Sequence, residues 1–375
     1  MESIVKEYIE YAKKKANIDE VVNKKLISQN ETFLKLKEYV KNNEEKELDV
    51  CREISKEFDN MDILKSYYAA NFVGHAVFHT EIADEEMGKN IINLFAKNIY
   101  QACQFIENVS QLYNTDEDEI TEDDIASVNI DVMYRTDYKS LEAFIGIDMM
   151  IAPLMTVLCS NQDLRKYFIS LDLLDHIEYL ETYIKSLAYI YIAVEACCKT
   201  KILVLSQKTQ RGFFIEASDM SNSYYLITLL EAELYKKGLL KRYGIDNYEF
   251  DENIYNIASG TSYANELIET KAHMQYYTIY AMQKDGSYKI EDENGELDLN
   301  TMLYGDMSPE EIPDDIDGMH IIIMDSDGMW KNPIKWDISY FSKPHQKLKP
   351  YVKILDEIYD EEYNNWIEKI KSYNI

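Results

Sequence analysis

A chain of 375 residues that is 46% hydrophobic is too apolar to stay disordered, and it is long enough for one large core or two ordinary ones. A formal charge of −29 argues against a nucleic-acid binder, since phosphates would be repelled. Twelve glycines and six prolines leave few tight turns, which disfavours an all-β sandwich and favours long helices. The 31 tyrosines, with abundant Lys, Asn and Ile, fit an AT-rich, bacterial coding bias and carry little functional weight.

The first residues, MESIVKEYIEYAKKK, alternate charged and apolar positions. They lack the apolar core and small-residue cleavage site of a secretory leader. Weak helices are expected over 2–16 and 30–47. Apolar residues spaced by three and four then predict helices over 60–80, 87–113, 139–159, 164–206 and 222–241. The stretch AFIGIDMMIAPLMTVLCS, 143–160, comes nearest to a membrane span. Asp148 near its middle would cost about 2.5–3.5 kcal/mol in a bilayer, and Pro153 interrupts it. A helix buried in a protein core fits better, so no membrane is expected as a partner. Two segments, DILKSYYAANFVGHA and TYIKSLAYIYIAVEA, look alike, but no third copy keeps the period. A helical solenoid acting as a scaffold is therefore one open reading.

Cysteines stand at 51, 103, 159, 197 and 198, an odd number without CxxC spacing. Reduced thiols in a cytoplasmic protein are the natural reading. The adjacent Cys197 and Cys198, within an apolar run, read as small core fillers.

Near residue 274 the pattern changes. MQYYTIYAMQ is rich in β-formers, KDGS is a hairpin turn, YKIE a returning strand and ENGE a second turn. HIIIM reads as a short buried strand ended by DSDG. In IKWDISY the residues Ile334, Trp336, Ile338 and Tyr340 share one face of a half-buried strand. Ser308, Pro309 and Glu311 form the start signal of a single helical turn that Pro313 stops. Residues 350–372 read as an amphipathic closing helix. The expected class is α+β. A mostly helical domain fills 1–270, and a small α+β domain over 271–375 carries antiparallel hairpins and a C-terminal helix.

Catalytic signatures are scarce. No two glycines are separated by a single residue, so GxGxxG and GxSxG are absent, as are GxxxxGK and HExxH. No calcium loop has an oxygen ligand at the right distance before its glycine. No cofactor is implied, and the sequence points away from an enzyme. The exception is His75 and His79, four residues apart on one helical face, where both could reach one ion. Such a site needs a third ligand; Glu86, one heptad beyond His79, is too far along the axis to share an ion with both histidines unless a partner helix completes the site, as one bringing His176, next to Asp175, could. A metal-dependent helical enzyme centred on the two histidines is thus an alternative. Phe72, Val73, Val77 and Phe78 around them favour an ordinary packed helix.

The acid is local. Residues 107–138 hold ten acids against one arginine, and residues 281–330 hold fourteen against two lysines. Residues 331–375 are nearly balanced, with eight lysines and seven acids. The candidate partner-binding residues are Asp116, Glu117, Asp118 and Glu119 in the first segment. In the second they are Glu310, Glu311, Asp314, Asp315 and Asp317. A dense negative surface can simply keep a protein soluble. It can also steer a basic protein partner, such as an enzyme with a positive substrate groove that an acidic inhibitor or immunity protein would cover.

Overall fold

In the computed structural model, residues 3–116, 119–246, 248–261, 268–274, 277–279, 302–324, 334–340 and 346–373 are described. The chain divides into two compact units, Met1–Val194 and Glu195–Ile375, well ahead of the boundary near 270 read from the sequence. The α+β class holds, with the first unit wholly helical among its described residues.

The helices of the first unit are α1 (Ser3–Ala12), α2 (Ile18–Val22), α3 (Lys25–Ser28), α4 (Glu31–Lys41), α5 (Glu47–Ser55), α6 (Ile63–Phe78) and α7 (Glu85–Tyr113). They continue as α8 (Glu122–Ser127), α9 (Ile130–Gly146), α10 (Ile151–Ser160), α11 (Gln162–Ile169), α12 (Leu174–Glu181) and α13 (Ala188–Val194). Side chains set their starts. Asn17, Asp62, Asp84, Thr121 and Asn161 each accept a hydrogen bond from a backbone N–H of the first turn, which would otherwise lack a partner. Helix α6 is buried on almost every side. It crosses α10 so closely that a Cβ on Gly74 would lie 2.5 Å from Cβ of Pro153. Helix α7, 29 residues long, lays its apolar face against α9, α10, α11 and α12. Ile130–Ser160 forms one 31-residue helical stretch, long and apolar enough to cross a membrane, with 67% of its apolar window buried inside the protein. It is the core helix that the sequence suggested, bent at Asp137, whose φ and ψ of −148° and 80° are not helical.

The second unit is built on strands β1 (Thr200–Ser206), β2 (Arg211–Ser218), β4 (Tyr277–Thr278), β5 (His320–Met324) and β7 (Tyr351–Tyr359), in the order β4-β5-β1-β2-β7. A separate pair joins β3 (Ile268–Met274) to β6 (Ile334–Tyr340), the strand expected at IKWDISY. The main sheet is mixed rather than antiparallel, because β1 runs parallel to β5. Its central strands read as unbroken apolar runs because both faces are covered. Ile202, Val204, Phe213 and Ile215 pack with α14 (Ser223–Lys236) and α15 (Glu252–Ala258) on one face. Leu203, Leu205, Phe214 and Ile323 pack with α16 (Asp360–Tyr373) on the other.

Two expected helices are corrected. Residues 164–206 break into α11, α12, α13 and then β1, and residues 350–372 are β7 followed by α16. The expected turns KDGS, ENGE and DSDG, and the strand YKIE, lie outside the described residues.

Candidate functional site

His75 and His79 sit at the exposed C-terminal end of α6, their rings edge-to-face with centroids 4.8 Å apart. His79 is the residue that caps the helix. The proposed third ligands go elsewhere. Glu86 lies 3.9 Å from Lys56, and the His176 ring packs edge-on against Tyr100 at 4.6 Å. Among the described residues no three His, Cys, Asp or Glu side chains are grouped to hold an ion.

Of the first acidic group, Asp116 and Glu119 are exposed after α7, and Glu117 and Asp118 lie outside the described residues. Glu122 and Asp123 continue the exposed acids on α8, whereas Asp124 closes a capping box with Thr121. The Tyr113 hydroxyl pairs with that of Ser127 at 2.8 Å, which fastens the end of α7 to α8. Large apolar side chains are also exposed at this end of the unit. They are Leu112 (52%), Tyr113 (41%), Ile130 (37%) and Val132 (44%).

The second acidic group is exposed but mostly engaged. Glu310 accepts from the Cys198 backbone N–H at 2.5 Å, and Glu311 accepts from the Ser308 N–H at 2.7 Å. Asp315 accepts from the Tyr373 hydroxyl, and Lys369 holds Asp317 at 2.5 Å. Burial, with the charge of Glu311 added, raises the Glu195 pKa.

A third constellation is buried. Asp62 caps α6 and accepts from the Ala16 N–H at 2.9 Å, tying the α1–α2 connection to the helix. Beside it stands Glu142 of α9, fully buried, with no N–H or O–H donor bonded to either carboxyl oxygen. Burial first, then the Asp62 charge, pushes the Glu142 pKa up to about 9, and burial also raises that of Asp62. The buried ammonium of Lys65 does not bond to either carboxyl. It donates to the Lys14 carbonyl at 2.7 Å, lies 3.6 Å from Glu20 and sits 4.4 Å above the Tyr11 ring. The Tyr67 hydroxyl and the Asn98 amide nitrogen adjoin each other next to Glu142, without a hydrogen bond of good geometry. All five cysteines are buried, and burial lifts the Cys51 thiol to about 12, which leaves it unreactive.

No family model matches the chain, and comparison with curated proteins and with solved structures finds no match.

Sequence reasoning missed the buried carboxyls. The signal was present, since Lys65 and Glu142 are charged residues inside otherwise apolar helical runs, DILKSYYAANF and SLEAFIG. A charge on an all-round apolar helix must be paired or neutralised.

Proposed function

We propose that the chain is a soluble, cytoplasmic, acidic protein-binding module that captures a basic protein, in the manner of an inhibitor or immunity protein covering a positive groove. The observation that carries this reading is the end of the first unit where α7, α8 and α9 meet. Leu112, Tyr113, Ile130 and Val132 are exposed at the end of α7 and the start of α9, and Asp116, Glu119, Glu122 and Asp123 are exposed in the chain between them. Apolar side chains supply area to desolvate, and surrounding charge steers the partner and selects its sign. Charge alone would serve solubility equally well, but exposed large apolar residues would not. The group at 310–317 contributes net charge rather than free contacts, because most of its carboxylates already serve local hydrogen bonds and ion pairs. The same negative field disfavours nucleic acid and anionic membrane surfaces as partners.

The test is calorimetric titration of the full chain with a lysine-rich amphipathic helical peptide at low and high salt. The paired substitutions Leu112→Ser and Ile130→Ser are expected to weaken binding about tenfold or more. Neutralising Asp116, Glu119, Glu122 and Asp123 should do the same. Glu310→Gln with Asp314→Asn should have a smaller effect. Equal affinity across all variants would reduce the attraction to bulk charge and remove the assigned surface. In extracts of the source cells, a basic protein retained at low salt by the wild type should be lost with the Leu112 and Ile130 variant.

A further inference from the structure

Two carboxyl groups face each other inside the first unit, and among the described residues no cation is bonded to either. Both are acceptors when ionised, so as a doubly charged pair they can only repel. One proton turns the repulsion into a hydrogen bond and provides the donor that the Glu142 oxygens otherwise lack. We propose that Asp62 and Glu142 share a single proton, and that this proton is a latch holding the N-terminal segment 12–20 against α6 and α9.

The placement supports a latch rather than an isolated buried acid. The Asp62 backbone N–H donates to the Ala12 carbonyl at 2.9 Å, while its side chain takes the Ala16 N–H. From α9, the Tyr134 hydroxyl donates to the Ala16 carbonyl at 2.5 Å. From α6, Lys65 holds the Lys14 carbonyl. These ties to segment 12–20 come from Asp62 itself, from Lys65 one turn further along α6 and from Tyr134 on the helix that carries Glu142, while Lys13 adds an ion pair to Glu57 at 3.0 Å.

The charges facing the pair come from each element around it. Lys65 on α6 and Lys15 in the α1–α2 connection favour ionisation of Glu142. Lys15 is exposed, with its ammonium 3.7 Å from the Tyr138 ring, and Lys65 is turned toward Glu20. Tyr67 and Tyr134 stay protonated, because burial and the nearby carboxylates raise both. Asn98 of α7 is neutral.

The sign of the pH effect follows. Glu142 binds its proton more tightly folded than unfolded, so the folded state loses stability as pH rises from the ordinary carboxylate range, roughly 4.3, toward about 9. Above that the loss levels off. Infrared spectra of the full chain at neutral pH should contain a protonated-carboxyl stretch that Glu142→Gln removes. In the wild type, amides of segment 12–20 should exchange faster as pH climbs from 6 to 9, by up to about tenfold per pH unit beyond the intrinsic rise. Glu142→Gln donates permanently to Asp62 and should flatten both that acceleration and the decline in melting temperature. Asp62→Asn removes the Asp62 charge but leaves Glu142 buried, so it should lessen the decline without abolishing it, and it serves if the first variant folds poorly. Absence of the protonated band from the wild type, or an unchanged decline in a folded variant, would overturn the latch.

Discussion

At the residue scale, one turn of α6 offers a contrast. Lys65 and Tyr67 are both buried in the same helix, yet their polar ends fare differently. The Lys65 ammonium has a carbonyl, a carboxylate and an aromatic face around it. The Tyr67 hydroxyl has no well-formed hydrogen bond. Removing the ammonium leaves Glu20, whose side chain is 12% exposed, with the Tyr11 hydroxyl and the Asn17 N–H but without its buried cation, and it takes a donor from the Lys14 carbonyl. Lys65→Met is therefore expected to cost about 2–3 kcal/mol, since a mostly buried carboxylate loses its cation and a carbonyl loses its donor. Tyr67→Phe removes a hydroxyl that was desolvated without compensation, so stability should hold or rise by about 1 kcal/mol. Denaturant unfolding of the two variants checks the order. A Tyr67→Phe loss as large as that of Lys65→Met would mean that the hydroxyl is bonded after all.

At the element scale, the crossing of α6 and α10 depends on Gly74. The obstacle to a side chain there is the Cα and Cβ of Pro153, which no rotamer change can move aside. Gly74→Ala should thus destabilise the chain by about 2–3 kcal/mol despite its better helix propensity. Chemical denaturation measures this, and a gain in stability would show that the helices can separate freely. The same scale explains what could be read from the sequence. Helices α6, α7 and α10 were legible because their apolar spacing follows the helical period over many turns. Strand β1 was not, because KILVLS is buried on both faces and an unbroken apolar run fits helix or strand equally. The turn after it, Gln207–Gln210, carries no Gly, Pro, Asn or Asp, and Gln210 takes the left-handed φ of 51° that usually advertises itself by such a residue. Strand β7 imitated a helix for a different reason. An extra residue between its pairings with Phe213 and Ile215 switches its faces. Ile354 then enters one core and Ile358 the other, which produces an i, i+4 spacing within a strand. The acidic surface was legible as composition. The buried carboxyl pair was not, because Asp62 and Glu142 are far apart in the chain and only the fold joins them.

At the scale of the whole molecule, 68 acids against 39 basic residues make self-repulsion a general property of the folded state. Ion pairs oppose it only weakly, since most are exposed, as with Lys35–Glu31, Lys89–Glu85 and Lys97–Asp59. Raising salt from about 10 mM to 0.15 M shortens the screening length from roughly 30 Å to 8 Å. That range removes repulsion between separate acidic segments while touching pairs in direct contact much less. The melting temperature should therefore rise over this interval. Capture of a basic partner depends on the same long-range field, so its affinity should fall as the stability increases. These opposite responses separate the two roles of the charge. If thermal unfolding in a salt series showed the melting temperature falling together with affinity, the ion pairs would dominate, and the excess acid would not act as an unbalanced field available to a partner.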